Sequence, residues 1–300
     1  MRADAISDWF GMLTRREFLA VGTGIILIPR LALAQQEDFF TGKDLFADLM
    51  TRAKAENWSK LQIGDLIGKI GMSFVGTPYV GKTFEIFDDR EVCVINLKGM
   101  DCATFYEASL ALARTIKTGR LTEGEFTAQI TRIRYRGGKM NGYVSRLHYA
   151  IDYFFDNEKR GILNDVTGSF PGAEVFPHKV SYMSKNPDQY RQLKANPSFV
   201  QLIAKTEEAI NARKIYFLPK DKVADNEILL KTGDIIGLST TREGLDVSHT
   251  GMCYRDENDV LRFLHASSTK EQVILDARLS EYLAKAKIND GIVVARPLEL

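Results

Sequence analysis

The chain holds three cysteines and four histidines, few enough to weigh each one for chemistry. Cys102 is the one placed to react. It lies in Gly99-Met100-Asp101-Cys102-Ala103-Thr104-Phe105, where Asp101 is an N-cap candidate directly before a helix whose first residue is Cys102. A thiol in the first turn feels the positive end of the helix dipole. That favours thiolate and lowers a cysteine pKa by about a unit or more from ~8.5. The free N–H groups of the same turn suit an oxyanion. Cys93 and Cys253 sit in apolar, strand-like runs and read as buried thiols, and an odd count this small makes no disulfide framework.

A thiolate nucleophile needs a partner that holds it as an ion pair and passes a proton to the leaving group, a role that suits histidine. His249 lies in Val247-Ser248-His249-Thr250-Gly251-Met252-Cys253-Tyr254 and His265 in Leu261-Arg262-Phe263-Leu264-His265-Ala266-Ser267, with the polar run Arg255-Asp256-Glu257-Asn258-Asp259 between them. That is a hairpin pattern. A turn centred on Glu257 sets Cys253 opposite Leu261 and His249 opposite His265, with Cβ atoms roughly 4.5–5.5 Å apart on one face. A one-residue slip would send one ring to the other face. His249 is then the base for Cys102, and His265 orients it.

Other residues carry weaker patterns. Tyr79, in the glycine-bounded loop Phe74-Val75-Gly76-Thr77-Pro78-Tyr79-Val80-Gly81, is either a half-buried aromatic or a hydroxyl lining the site beside Cys102. The Ser145–Asn157 run reads as helical, with His148 and Asp152 four apart as a surface pair. His178, next to Pro177, reads only as a loop histidine. Metal binding is the rival chemistry for a Cys and His cluster, but no C-x-x-C or H-E-x-x-H spacing is present. No metal and no cofactor is expected.

These residues need a scaffold, and the periodicity supplies one. Asp44 to Met72 is helical with a break at Asn57-Trp58, Glu91–Leu97 reads as a short strand, and the Cys102 helix runs to Lys117 with Gly119 just past its end. Residues 121–213 read as a helical insertion. From Ile215 the period becomes that of strands: Ile215–Leu218, Asp234–Ser239, Val247–Arg255, Val260–Ser267 and Ile292–Pro297. Helices followed by strands point to α+β with an antiparallel sheet.

The N-terminus reads as a leader. Thr14-Arg15-Arg16-Glu17-Phe18-Leu19 opens an apolar run to Ile28 and leads to Ala32-Leu33-Ala34, the order of a twin-arginine signal with an A-x-A cleavage site. The run is about half the ~20 residues needed to span a bilayer. The expected product is a single catalytic domain, residues 35–300, in the periplasm with no membrane span. Cleavage removes four Lys/Arg and three Asp/Glu and leaves 36 of each, so nothing in the balance suggests nucleic acid, which needs surplus cations.

With Asp101-Cys102 at a helix start, His249 in V-S-H-T-G and His265 in F-L-H-A-S, the chain resembles the NlpC-type cell-wall hydrolases, compact relatives of papain. Gly76-Thr77-Pro78-Tyr79-Val80, the Glu91–Leu97 run, Asp101 to Phe105 and Ser145-Arg146-Leu147-His148-Tyr149 resemble one branch, the cysteine-dependent N-acetylmuramoyl-L-alanine amidases. The resemblance implies a papain-like fold with its sheet packed on the nucleophile helix, and peptidoglycan or muropeptide fragments as substrate. It implies Cys102 as nucleophile, His249 as base, His265 as third polar residue and Tyr79 as the loop tyrosine beside the thiol. It also makes Arg146 and His148 a substrate wall for a lactyl or peptide carboxylate. Ala103 departs from the γ-D-glutamyl-diaminopimelate peptidases of the superfamily, many of which carry serine there and use it with the preceding aspartate around a free L-alanine amine. That favours cleavage nearer the sugar, while Asp101 keeps the peptidase alternative open. A non-catalytic murein-binding module with a decayed site is the alternative of another class.

Overall fold

The computed structural model describes residues 38–300, so the expected leader over residues 1–34 lies outside the described residues. Phe40–Thr41 (β1) leads into Lys43–Ala55 (α1), and Ile63–Ser73 (α2) follows a break at Asn57, which takes the left-handed conformation. Ile95–Asn96 (β2) pairs in parallel with β1. Cys102–Thr118 (α3), Glu123–Arg134 (α4) and Ala150–Lys159 (α5) follow. After them come Leu163–Asp165 (β3), Glu174–Val175 (β4), the short Tyr182–Lys185 (α6) and Arg191–Ala195 (α7), and Ser198–Asn211 (α8). The strand-rich end comprises Tyr216–Pro219 (β5), the one-turn Val223–Asn226 (α9), Ile235–Thr240 (β6), Val247–Arg255 (β7), Leu261–Ser267 (β8) and Gln272–Arg278 (β9). Leu279–Lys285 (α10) and Asn289–Pro297 (β10) close it.

The architecture is α+β, as the change of period predicts. The main sheet runs β4-β5-β10-β6-β7-β8-β9, antiparallel throughout, with β3 added on β10. It is buried on both faces. Val293 and Ala295 pack toward the helical core with Phe105 and Leu110 of α3, while Ile292 and Val294 pack with Leu279 and Leu283 of α10. α2 and α4 flank α3, and β7 and β8 lie against it, so α3 is buried along most of its length.

Four local expectations change. The Glu91–Leu97 run forms a strand only at Ile95–Asn96, because side chains take over its backbone: Arg134 Nη1 donates to the Val94 carbonyl at 2.6 Å and Gln192 Nε2 to the Arg90 carbonyl at 3.2 Å. The Ser145–Asn157 helix begins only at Ala150, because Arg146 bridges Tyr135 and Leu147 N–H donates to the Arg134 carbonyl at 2.9 Å, holding 146–149 extended. His148 is therefore off the helix, and Asp152 is no surface partner for it. Asp152 is buried between Arg136 at 2.6 Å and Arg213 at 2.7 Å. The stretch 121–213 also contributes β3 and β4 to the sheet.

The hairpin register is the fourth change. Cys253 pairs with Phe263 and Met252 with Leu264, so the turn is centred on Asn258 and not Glu257. Asp259 makes this possible by adopting φ 58° while Asp256 Oδ1 accepts the N–H groups of Asn258 and Val260. His265 then stands across from Gly251, one step diagonal to His249. A two-residue shift preserves parity, so both rings keep one face. Gly251 has no room for a side chain: a Cβ there would lie 2.6 Å from Phe263 Cε2 and 2.8 Å from His265 Cβ. Gly251→Ala should lower stability by about 1–3 kcal/mol through overpacking and displace His265. Thermal unfolding with a His265 NMR shift checks this, and an unchanged Tm and ring environment would contradict it.

Candidate active site

The α3 N-terminus is built as the local sequence predicts. Asp101 Oδ1 accepts the N–H of Ala103 at 3.1 Å and of Thr104 at 2.8 Å, and Thr104 Oγ1 accepts the Asp101 N–H at 2.9 Å. This is a reciprocal capping box with threonine in the place usually held by Glu or Gln. Gly119 closes the helix at φ 72°. Two of the N–H groups an oxyanion would use are thus engaged by Asp101, and the N–H of Cys102 itself favours its own sulfur.

Burial reverses the expected drop in the thiol pKa. Desolvation, then the Asp101 carboxylate, push Cys102 up to about 11, and contacts from the Thr250 hydroxyl and backbone N–H only partly offset this. The Thr250 hydroxyl is buried near the sulfur without completing a well-formed hydrogen bond. Desolvation, with the neighbouring His265, holds His249 down at about 3. Both shifts favour the uncharged forms, a neutral thiol and a neutral imidazole.

His249 is held by a chain of side chains across three strands. His249 Nε2 lies 2.7 Å from His265 Nδ1, with the rings edge to face at 85°. His265 Nε2 lies 3.3 Å from Asp276 Oδ2 on β9. Phe263 stacks on the His265 ring at 4.6 Å between centroids, and Tyr282 of α10 meets it at 5.2 Å. Burial raises the Tyr282 pKa, with Asp276 and Cys102 adding to it, so the tyrosine sits within electrostatic reach of both ends of the chain. His249 Nε2 faces His265, so Nδ1 is the ring nitrogen that this chain leaves unused.

Cys102 and His249 line one cavity of about 280 Å³. Its wall is mixed, and its arginines are paired with carboxylates. Glu107 accepts from Arg134 at 2.9 Å, and Arg146 meets Glu85 at 2.7 Å and Glu91 at 3.4 Å. Phe84 lies between the two guanidinium groups, 4.8 Å from Arg134 and 5.1 Å from Arg146. Asp246, raised to about 6 by burial, accepts the Ile151 N–H at 3.0 Å and so caps α5 from outside the helix.

The remaining expected site residues fall in different places. Arg146 and His148 both line the cavity. Burial and Arg146 hold His148 well below its ordinary pKa, and its Nε2 lies 3.1 Å from the Tyr143 carbonyl, so it stands there as a neutral ring. Asp101 is buried as the helix cap. Tyr79 is half-buried, fixed by its N–H to the Glu271 carbonyl at 2.8 Å and a bridge to Met100. Burial, then Cys102 and Asp101, push its pKa up to about 12, so it lies within electrostatic reach of the Cys102 thiol. Asp276, Tyr282, Thr250 and Asp246 were not among the expected residues. Among the described residues, no group of three or more His, Cys, Asp or Glu side chains could hold a metal ion, and no helix is long and apolar enough to cross a membrane.

A model of the AmiA-like family, described as N-acetylmuramoyl-L-alanine amidase-like, matches residues 69–292. The chain belongs to this family. The AmiA-like match takes in α3, the β7–β8 hairpin and β9. A solved N-acetylmuramoyl-L-alanine amidase from Bacteroides uniformis is 37% identical, with a TM-score of 0.73 over 79% of this chain and 100% of its own. A Bacteroides fragilis protein with a provisional xylanase designation is 40% identical, with a TM-score of 0.70 over 76% of this chain and 99% of its own. A Legionella pneumophila protein at 22% identity and TM-score 0.62, covering 85% of this chain and 95% of its own, shares the fold. No curated protein matches.

For this AmiA-like protein the raised thiol pKa makes a direct prediction. Iodoacetamide should label Cys102 slowly at about pH 6, with the rate still climbing above about pH 9, because only the deprotonated form reacts. Peptide mapping separates Cys102 from Cys93 and Cys253. A rate already at its plateau near pH 6 would mean a resting thiolate.

Proposed function

We propose that the protein is a cysteine-dependent N-acetylmuramoyl-L-alanine amidase acting on peptidoglycan through a thioester on Cys102, on a papain-like fold of the NlpC type. The observation that carries this is the shared cavity: Cys102 at a capped helix start and His249, whose Nε2 lies 2.7 Å from His265 Nδ1, line it together. The family membership supports the bond, and the antiparallel sheet packed on α3 supports the fold type.

In the first step His249 Nδ1 takes the Cys102 proton as the sulfur attacks the lactyl carbonyl. The tetrahedral oxyanion lies near the Cys102 N–H and the Tyr79 hydroxyl. His249 then returns the proton to the L-alanine nitrogen as the C–N bond breaks, leaving an N-acetylmuramyl thioester and a free peptide amine. Water, deprotonated by His249, releases the acid and restores the thiol. Under this reading the twin-arginine leader places the activity in the periplasm.

Two competing chemistries fit the site less well. A glycoside hydrolase needs two free carboxyl groups flanking the bond. Here Glu107 and Glu85 are held by arginines and Asp246 by the α5 N-terminus. A γ-D-glutamyl peptidase that grips a free amine with Asp101 and a following serine meets Ala103, and an Asp101 whose Oδ1 holds α3.

Mass spectrometry of muropeptides incubated with the purified enzyme tests the proposal. The expected products are a peptide-free N-acetylmuramic acid sugar and a peptide beginning with L-alanine, and Cys102→Ala should give neither. An L-Ala-D-Glu stub left on the sugar would assign the peptidase reaction instead, and sugar-to-alanine linkages intact under all conditions would reject the amidase.

A further inference from the structure

We infer that Asp276 sets the direction of proton flow through His265 and His249, acting as a positioning residue for the base. The consequence for turnover rests on the amidase reading above; the geometry does not.

An ionised carboxylate only accepts hydrogen bonds. With Asp276 Oδ2 at 3.3 Å, His265 Nε2 must carry the hydrogen. A neutral imidazole has one N–H, so His265 Nδ1 is a lone pair. The 2.7 Å contact then requires the hydrogen on His249 Nε2, which leaves His249 Nδ1 bare to receive a proton from Cys102. The opposite polarity fails at both ends. It would aim a lone pair of His265 at a carboxylate and would put a hydrogen on the nitrogen that must accept one. Resting neutrality of both rings follows from burial, which lowers the pKa of each.

β9 aims the carboxylate. The β8–β9 ladder shifts between the Arg262–Arg278 and Leu264–Leu275 pairs, so Asp276 and Ala277 together face one residue of β8. Such a bulge re-aims a side chain. Asp276 Oδ1 accepts the Ala277 N–H at 2.7 Å, which turns Oδ2 toward His265. The titratable groups facing His265 are His249 from β7, Asp276 from β9 and Tyr282 from α10, with Phe263 of β8 stacked on its face. Asp276 is the acid among them. Its negative charge also favours the cation formed when His249 takes the thiol proton, relayed through a His265 side chain that is 1% exposed.

Asp276→Asn tests polarity with little change of shape, because an amide can donate to His265 Nε2 and reverse the chain. Two-bond proton–nitrogen correlation on the full chain with 15N-histidine reads the tautomers without substrate. Both rings should be Nε2–H in the native protein at neutral pH. In Asp276→Asn an Nδ1–H form should appear, with kcat down on the order of 10²-fold and KM within about twofold. Asp276→Glu should keep the Nε2–H forms and recover most of kcat. An Nδ1–H form in the native protein, or an Asn variant with native tautomers and kcat, would overturn the inference. If the Asn variant fails to fold, the native spectrum alone decides. Nε2–H rings in a protein that cleaves no muropeptide would reject the amidase reading and support the relay.

Discussion

The first turn of α3 packs beside β7, where a half-buried thiol and the N–H groups of a helix end are partly withdrawn from water. Both are groups that water normally satisfies. The surrounding structure responds to that loss. Asp101 and Thr104 cap the turn, the thiol is held neutral, and the base opposite is held neutral as well. Uncharged forms of both groups need no counter-ion, and under the proposed function charge separates only once substrate is bound.

The same desolvation explains why the His249 imidazole draws support from beyond its own strand. A lone imidazole in this setting has no preferred tautomer and poor affinity for a proton. His265 removes the first problem by hydrogen bonding, and Asp276 lies at the far end of the chain. Gly251 permits this packing, since any side chain there would collide with both Phe263 and His265. The cavity wall follows a related rule: its arginines are paired with Glu107, Glu85 and Glu91, so Arg146 presents a neutralised rather than a bare cation to whatever enters.

What the sequence made legible was local. Asp101, Cys102 and Gly119 mark a helix start and stop through short-range capping chemistry, and both marks stand in the structure. The two histidines were legible as same-face neighbours because strand parity survives a register error of two. The register itself was not, because it depended on Asp259 adopting a left-handed conformation in a loop of five polar residues. β9 escaped notice because an edge strand is half-exposed and shows little apolar alternation, and Asp276 was hidden with it. The 146–149 segment misled because its helical spacing is overridden by contacts with Tyr135 and Arg134. Asp246 and Tyr282 act on partners 95 and 17 residues away, which no local pattern records.

The central claim is that Cys102 carries the acyl half of a sugar-to-alanine amide during turnover. Acid-quenching the enzyme with excess muropeptide and mapping the peptide that contains Cys102 tests it most directly. The account predicts that this peptide gains the mass of an N-acetylmuramyl acyl group, lost on treatment with hydroxylamine and absent in His249→Ala. An unmodified Cys102 alongside continuing product release would contradict it.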